Sequence, residues 1–189
     1  LKPENILIDE YYNPRICDFG LSRCFSQVLT NSIQLSMTGK IGTPLYMAPE
    51  LMLDDEGHFS SAVDVYSFAI LAYEIVSRKQ PYSENGKVAK FGDIVRKVTS
   101  GIRPQFTDGV TEKMKELIRE CWNQKAEERP SFENIFSRLA SDLSSYFDED
   151  IDEDEINDYL ETLKEETQSP VSSEDKYKEQ IMNLQKRNQ

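Results

Sequence analysis

The sequence is 189 residues long, which is enough for one ordinary domain and a tail. Its net charge is −12, but residues 141–189 hold fifteen acidic and five basic residues, which leaves only −2 for residues 1–140. A nearly neutral body with an acidic tail excludes proteins that bind nucleic acid or anionic membranes through a basic surface.

The three cysteines, Cys17, Cys24 and Cys121, have no spacing typical of a metal site or a disulfide framework. We therefore expect reduced thiols and a location in the cytoplasm or the nucleus. The longest apolar run, residues 63–76, contains two acidic residues and is too short to cross a bilayer. It predicts a buried core helix.

Two short apolar runs near the start of the sequence, residues 5–8 and 15–17, predict a β-hairpin. Asn13-Pro14 between them is a turn signal. The following residues, 18–50, are rich in Ser, Thr and Gly without a helical period. We expect them to form a long irregular segment, and loops of that length are usually functional.

The hairpin suggests a site for a divalent cation. If Leu7 faces Ile16, then Asn5 faces Asp18, and directly opposed residues have Cβ atoms about 4.5–5.5 Å apart. An amide oxygen and a carboxylate at that separation can share Mg²⁺, and Lys2 can add a positive charge for phosphate. The alternative is that Asn5 and Asp18 only cap the two ends of a hairpin.

The rest of the body has helical periodicity, with Thr111 and Ser131 as expected N-caps. The predicted helices lie near residues 61–77, 88–99, 111–122 and 131–147.

Residues 148–189 are acidic and are predicted to form a separate tail that is partly helical or disordered. A narrow apolar stripe within it follows the helical period. Its members are Ile156, Tyr159, Leu160 and Leu163. The stripe either binds a partner helix or belongs to a solvated helix that packs on its own domain.

Five segments, in family order and at family spacing, resemble the motifs of protein kinases. They are LKPEN (1–5, the end of the catalytic loop), DFG (18–20), GTPLYMAPE (42–50), DVYSFAILAYEI (64–75) and CWNQKAEERPSF (121–132). The resemblance covers residues 1–147. It implies a mainly α fold, the kinase large lobe, in which a small β-hairpin carries the metal site and the small lobe is absent.

Finer details resemble the tyrosine-kinase-like group of Ser/Thr kinases. Lys2 and Thr43 are the Ser/Thr-kinase choices at their positions, and SGIRP (100–104) is similar to the tyrosine-kinase-like group. The resemblance implies that the parent protein transfers the ATP γ-phosphate to Ser or Thr hydroxyls of protein substrates. The alternative is a pseudokinase or a scaffold module.

The resemblance also implies that the sequence is a fragment. The family pattern places the catalytic Asp directly before Leu1 and the Gly-rich loop in a small lobe, and neither is among these residues. We expect the missing small lobe to be a partner and the fragment alone to be inactive.

The resemblance assigns the catalytic and cofactor-binding roles, with ATP and Mg²⁺ as cofactors. Lys2 would contact the γ-phosphate, Asn5 and Asp18 would hold Mg²⁺, and Thr43 would hydrogen-bond the catalytic Asp and Lys2. Three further residues would contact ATP. They are Glu4, whose backbone would meet the ribose, Leu7 under the adenine, and Cys17 at the back of the pocket. The alternatives are a plain core role for Leu7 and an inert buried thiol for Cys17.

Further residues match structural and substrate positions of the family. Leu45, Tyr46 and Met47 would line the pocket for the substrate residue after the phosphate acceptor. Glu50 and Arg129 match a buried ion pair. Asp64, in an apolar helix, needs partners and matches the residue that holds the catalytic-loop backbone.

Residues 21–41 contain many hydroxyl side chains and no acidic one, which is typical of a segment controlled by phosphorylation. Thr38 is the best-placed acceptor and Ser36 is the next, with Arg23 as a basic partner for the phosphate. The alternative is that these are ordinary loop hydroxyls.

Overall fold

The computed structural model describes residues 1–10, 12–17, 44–53 and 60–147, together with residues 154, 156–158 and 161. The chain divides into two compact units, Leu1–Glu149 and Asp150–Gln189. The first unit is mostly helical, as predicted. The described residues of the second unit are helical, and of the predicted stripe only Ile156 is among them. Among the described helices, none has the length and apolar character needed to cross a membrane.

The predicted hairpin is present near the start of the chain. Strand β1 (Ile6–Ile8) pairs antiparallel with β2 (Pro14–Ile16). Asp9 and Asn13 close the loop between them, because Asp9 N donates to Asn13 O at 3.1 Å and Asn13 N donates to Asp9 Oδ1 at 2.9 Å. The last loop residue, Tyr12, has a left-handed backbone with φ 64°. Three-residue hairpin loops commonly end in this conformation.

The predicted register of this hairpin is wrong by one residue. The sequence predicts Leu7 opposite Ile16, whereas Ile6 lies opposite Ile16 and Leu7 lies opposite Arg15. The physical reason is the loop length. The predicted pairing needs an even number of residues in the loop, and the observed loop has an odd number, which shifts every pair.

Five α-helices are described in the first unit, and four of them lie where the sequence predicts helices. They are α1 (Pro49–Leu53), α2 (Ala62–Ser77), α3 (Phe91–Thr99), α4 (Glu112–Cys121) and α5 (Phe132–Ser141). Both predicted N-caps are confirmed. Thr111 Oγ1 accepts from Met114 N at 3.2 Å, and Ser131 Oγ accepts from Asn134 N at 3.3 Å.

Two helix boundaries differ from the prediction. α3 begins at Phe91 because a second hairpin occupies residues 83–88, with β3 (Ser83–Glu84) paired to β4 (Lys87–Val88). Its turn is Asn85-Gly86, with both φ angles positive. The last predicted helix is interrupted at Asp142, which has φ −163° and ψ 62°, and a short 3-10 helix follows at Leu143–Tyr146.

Helix α2 is the centre of the core, as its apolar run predicts. Its side chains are buried on several sides, with Tyr66, Ile70 and Tyr73 fully or almost fully inaccessible. It packs against α4 and against the 3-10 turn Pro44–Tyr46. Each large apolar side chain buried in this way contributes about 1.5–3 kcal/mol to stability.

The buried tyrosine side chains should make the stability of the fold depend on pH. Burial is the main cause that raises the pKa of Tyr66, Tyr73 and Tyr82 above the ordinary value of 10.0, and it raises the pKa of Cys121 to about 12. Above pH 10 the unfolded chain therefore loses protons that the folded chain keeps. The free energy of unfolding should fall as pH rises through this range, by up to about 1.4 kcal/mol per pH unit for each group.

Urea denaturation across neutral and alkaline pH measures this effect. Tyr66→Phe should reduce the alkaline slope, because the variant lacks one of the buried phenols. Tyr12→Phe is the matched control, since Tyr12 is exposed. Equal slopes for the wild type and the Tyr66→Phe variant would contradict this account of the core.

Candidate functional site

The first hairpin, at the end that Asn5 enters, brings together three of the residues predicted to contact a nucleotide, and we call this region the hairpin face. Cys17 N donates to Asn5 O at 2.8 Å, so Cys17 lies opposite Asn5. Leu7 lies two residues after Asn5, in β1. The predicted direct opposition of Asn5 and Asp18 is wrong, since Cys17 takes that place.

The exposure of this face separates the alternatives left open by the sequence. Leu7 is 58% exposed, which does not favour a plain core role for it. Cys17 is partly exposed, which does not favour a fully buried thiol. The exposed Leu7 gives this face an apolar surface for a flat ring. The nearby Asn5 amide gives it an oxygen atom that can bind a cation on a phosphate group.

A short 3-10 turn, Pro3–Asn5, brings Lys2 and Glu4 to the same end of the hairpin. Asn5 N donates to Lys2 O at 3.0 Å, which fixes the turn. Among the described residues, no carboxylate lies within ion-pair distance of the Lys2 ammonium group. Glu4 is exposed.

Five residues of the predicted site lie outside the described residues. They are Asp18, Arg23, Ser36, Thr38 and Thr43. The metal-binding role of Asp18, the hydrogen bonds of Thr43 and the phosphorylation switch therefore stay predictions.

The segment predicted to line a substrate pocket is anchored to the core. Leu45 and Tyr46 are buried and Met47 is partly exposed. Ser67 Oγ on α2 donates to Tyr46 O at 2.8 Å, and Tyr46 OH donates to the Glu74 carboxylate. In this structure only Met47 of the three offers surface, and a substrate pocket here stays a prediction.

Sequence reasoning missed the partners of Tyr46. Burial, followed by the carboxylates of Glu74 and then Glu4, raises the pKa of the Tyr46 phenol, so that it stays protonated and donates to Glu74. Tyr46 and Glu74 are 28 positions apart, and no pattern in the sequence pairs them. The contact fixes the segment before α1 against α2.

The ion pair predicted between Glu50 and Arg129 is present and bidentate. Arg129 Nη1 and Nη2 donate to the two Glu50 carboxylate oxygens at 2.6 and 2.8 Å. The Arg129 side chain is 0% exposed and that of Glu50 is 24% exposed. Arg129 also donates to the carbonyls of Asn123 and Ala62, so its remaining donors are not left without acceptors. The pair ties α1 to the segment before α5.

Asp64 differs from the prediction. The sequence predicts a carboxylate inside an apolar helix, but the side chain is 58% exposed, because Asp64 lies in the first turn of α2, close to the exposed Ser60 and Ser61. Its Oδ1 lies 3.8 Å from Leu1 N, the first residue of the LKPEN segment. Asp64 therefore faces the backbone of that segment.

The geometry and the motifs agree with a comparison against known families. The family model described as "Protein kinase domain" matches residues 1–139. The chain belongs to the protein kinase family. The kinase motifs therefore account for the hairpin face, for the Glu50–Arg129 pair and for the central helix α2.

The chain is similar to several named protein kinases. It is 37% identical over 139 residues to dual specificity protein kinase shkC of Dictyostelium discoideum, covering 74% of this chain and 26% of the relative. It is 36% identical over 139 residues to probable serine/threonine-protein kinase drkC of the same organism, covering 74% and 18%. It is 33% identical over 157 residues to mouse receptor-interacting serine/threonine-protein kinase 4, covering 80% and 19%. The chain thus spans about a quarter or less of the length of these relatives.

Proposed function

We propose that the protein containing this chain transfers the γ-phosphate of ATP to Ser and Thr hydroxyls of protein substrates. Family membership supports phosphoryl transfer, and several relatives are named as serine/threonine kinases. The observation that carries the proposal here is the hairpin face. It holds Asn5 opposite Cys17 and two residues before Leu7, whose side chain is exposed.

The residues present fit a nucleotide with a divalent cation. The amide oxygen of Asn5 and the carboxylate of Asp18 are the hard oxygen ligands that Mg²⁺ prefers. When bound there, Mg²⁺ would neutralise charge on the phosphates of ATP. Lys2, with no carboxylate partner among the described residues, would add positive charge at the γ-phosphate, and Leu7 would support the adenine ring.

The choice of Ser and Thr over Tyr is also part of the proposal. It rests on Lys2 in LKPEN and on Thr43 in the GTP motif, which are the Ser/Thr-kinase residues at these positions. Some relatives are named as dual specificity kinases, so phosphorylation of Tyr is the competing outcome. Analysis of which hydroxyl amino acids the full-length protein phosphorylates tests the choice.

The 189-residue chain by itself should not transfer phosphate. Its glycines form no G-x-G-x-x-G loop to cover the phosphates, and the catalytic Asp of the pattern is not among its residues. Incubation with Mg²⁺-ATP and a generic Ser/Thr substrate should give no more transfer than a Lys2→Ala, Asp18→Ala double variant. Transfer that the double variant abolishes would show that this prediction is wrong.

A binding module without catalysis, such as a pseudokinase or scaffold, is the second candidate. The residue that precedes Leu1 in the full-length protein separates the two, because Asp there supplies the base and Asn, Ser or Gly does not.

The remaining partners belong to the proposal as well. They are a small kinase lobe over the hairpin face and a helix partner for the stripe of the tail. We also propose a location in the cytoplasm or nucleus, because the spacing of the three cysteines is not typical of a disulfide framework.

A further inference from the structure

A pocket of the first unit, with a volume of about 420 Å³, shares no residue with the hairpin face. It lies between the loop at residues 103–106 and the exposed side of α4. We call it the basic pocket. Its main lining residues are Arg103, Gln105, Phe106, Lys115, Arg119 and Trp122.

Aromatic rings form one wall of the basic pocket. The ring centroids of Phe106 and Trp122 are 5.4 Å apart with an interplanar angle of 30°, and Tyr73 lies 5.6 Å from Phe106 behind them. The Arg119 guanidinium lies 5.5 Å from the Phe106 ring centroid. The wall can therefore accept an apolar or aromatic side chain directly beside a cation.

The first cation, Arg103, is held in place by neutral groups. Its guanidinium donates to Trp122 O and Val98 O, both at 3.1 Å, and to Gln124 Oε1 at 2.7 Å. In the part of the chain that the structure describes, no carboxylate lies within ion-pair distance of it. Arg103 therefore gives the pocket a fixed positive charge that no carboxylate of the described residues neutralises.

The other two cations share a single carboxylate. Lys115 and Arg119 lie four residues apart on α4, and Glu112 is 2.7 Å from Lys115 Nζ and 3.8 Å from Arg119 Nη1. Glu112 is exposed, and exposed ion pairs contribute only about 0–1 kcal/mol. A carboxylate from a ligand can replace Glu112 at little cost. Within the residues that the structure describes, three cations against one weakly held carboxylate leave the pocket positively charged.

We propose that the basic pocket docks an acidic peptide segment of a partner protein. An aromatic or aliphatic side chain of the peptide would lie against Phe106 and Trp122, and flanking carboxylates would pair with Lys115 and Arg119. A peptide fits better than a nucleic acid or a membrane, because those polyanions need an extended basic surface and this chain has a net charge of −12. The site would hold a substrate or a regulator away from the nucleotide face.

Trp122 provides the measurement, because it is the only tryptophan of the chain. The purified chain is titrated with the acetylated, amidated peptide Glu-Glu-Phe-Glu-Glu while Trp fluorescence is followed. We expect a saturable change that the peptide Lys-Lys-Phe-Lys-Lys does not produce. Lys115→Glu and Arg119→Glu should each weaken binding at least about tenfold, which corresponds to about 1.4 kcal/mol. Arg96→Glu is the matched control, since Arg96 is an exposed arginine paired with Asp93 on α3, and it should bind like the wild type.

Several outcomes would overturn the proposal. These are the absence of a saturable change, equal binding of the basic peptide, tighter binding of a ten-nucleotide oligothymidylate, or unchanged affinity in both charge-reversal variants. Thermal unfolding checks that each variant is folded. If Arg119→Glu does not fold, the affinity of Arg119→Gln for the acidic peptide tests the proposal instead. This variant removes the charge and keeps most of the side-chain length at a half-exposed position.

Discussion

Replacing Glu50 by glutamine is expected to lower the free energy of unfolding by about 3–5 kcal/mol. The substitution leaves the Arg129 guanidinium fully buried without its counter-charge, while two backbone carbonyls still hold it in place. The cost is that of an uncompensated buried charge, and it does not equal the net contribution of the pair to stability.

The chain contains a matched control for this substitution. Arg138 donates to both oxygens of Glu120 at 2.6 and 3.1 Å, so the chemistry is the same, but both side chains are partly exposed. Glu120→Gln should therefore cost only about 0–1 kcal/mol. Urea denaturation of the two variants at neutral pH measures the difference. Equal costs would mean that burial does not decide the strength of the Glu50–Arg129 pair.

The largest effect on activity is expected from Asp18→Asn in the full-length protein. Turnover should fall by about 10³-fold or more, because an amide has one oxygen and no charge with which to hold Mg²⁺ against the phosphates. The side chain keeps its volume, so the melting temperature should stay close to that of the wild type. Steady-state kinetics and thermal unfolding of the same preparation measure both quantities.

Asp9→Asn is the control for this substitution in the same hairpin. The Asp9 carboxylate accepts from Asn13 N at 2.9 Å and pairs with Arg15 at 3.1 Å, so it has a structural role in the loop. This variant should lose some stability and keep turnover within a few-fold of the wild type. If Asp18→Asn instead lowers the melting temperature as strongly as it lowers turnover, then Asp18 is a structural residue.

Local patterns in the sequence were sufficient for most of the helical fold. The apolar run 63–76 predicts the central helix α2, because a helix that is apolar over most of its surface must be largely buried. Thr111 and Ser131 mark the starts of α4 and α5, because their hydroxyls accept the first free backbone amides. These features depend on neighbours within about four residues, which the sequence displays directly.

The details that the sequence did not predict depend on turns and on distant contacts. The register of the first hairpin depends on Tyr12, a non-glycine residue with positive φ, and its sequence gives no sign of that conformation. The second hairpin has a turn signal in the sequence, Asn85-Gly86. The helical period that begins at residue 88 overlaps its last strand and hides the hairpin. The burial of Leu45 depends on packing against α2, which lies more than fifteen positions away.

Part of the candidate site was predicted from the spacing of residues along the chain, and part only from the resemblance to a family. Asn5 and Leu7 are close together because they are two residues apart, which no strand register changes. The Glu50–Arg129 pair joins residues 79 positions apart, and only the family motifs could suggest it. The loop length places Cys17 opposite Asn5, and the register predicted from the sequence did not include this pair.

The central proposal is that the protein containing this chain is an active Ser/Thr kinase. The most direct measurement is transfer of labelled γ-phosphate from ATP by the full-length protein, followed by identification of the labelled amino acids in a mixed protein substrate. The account predicts phosphoserine and phosphothreonine, formed only with Mg²⁺ and lost in the Asp18→Asn variant. Binding of ATP without transfer, or label on tyrosine alone, would contradict it.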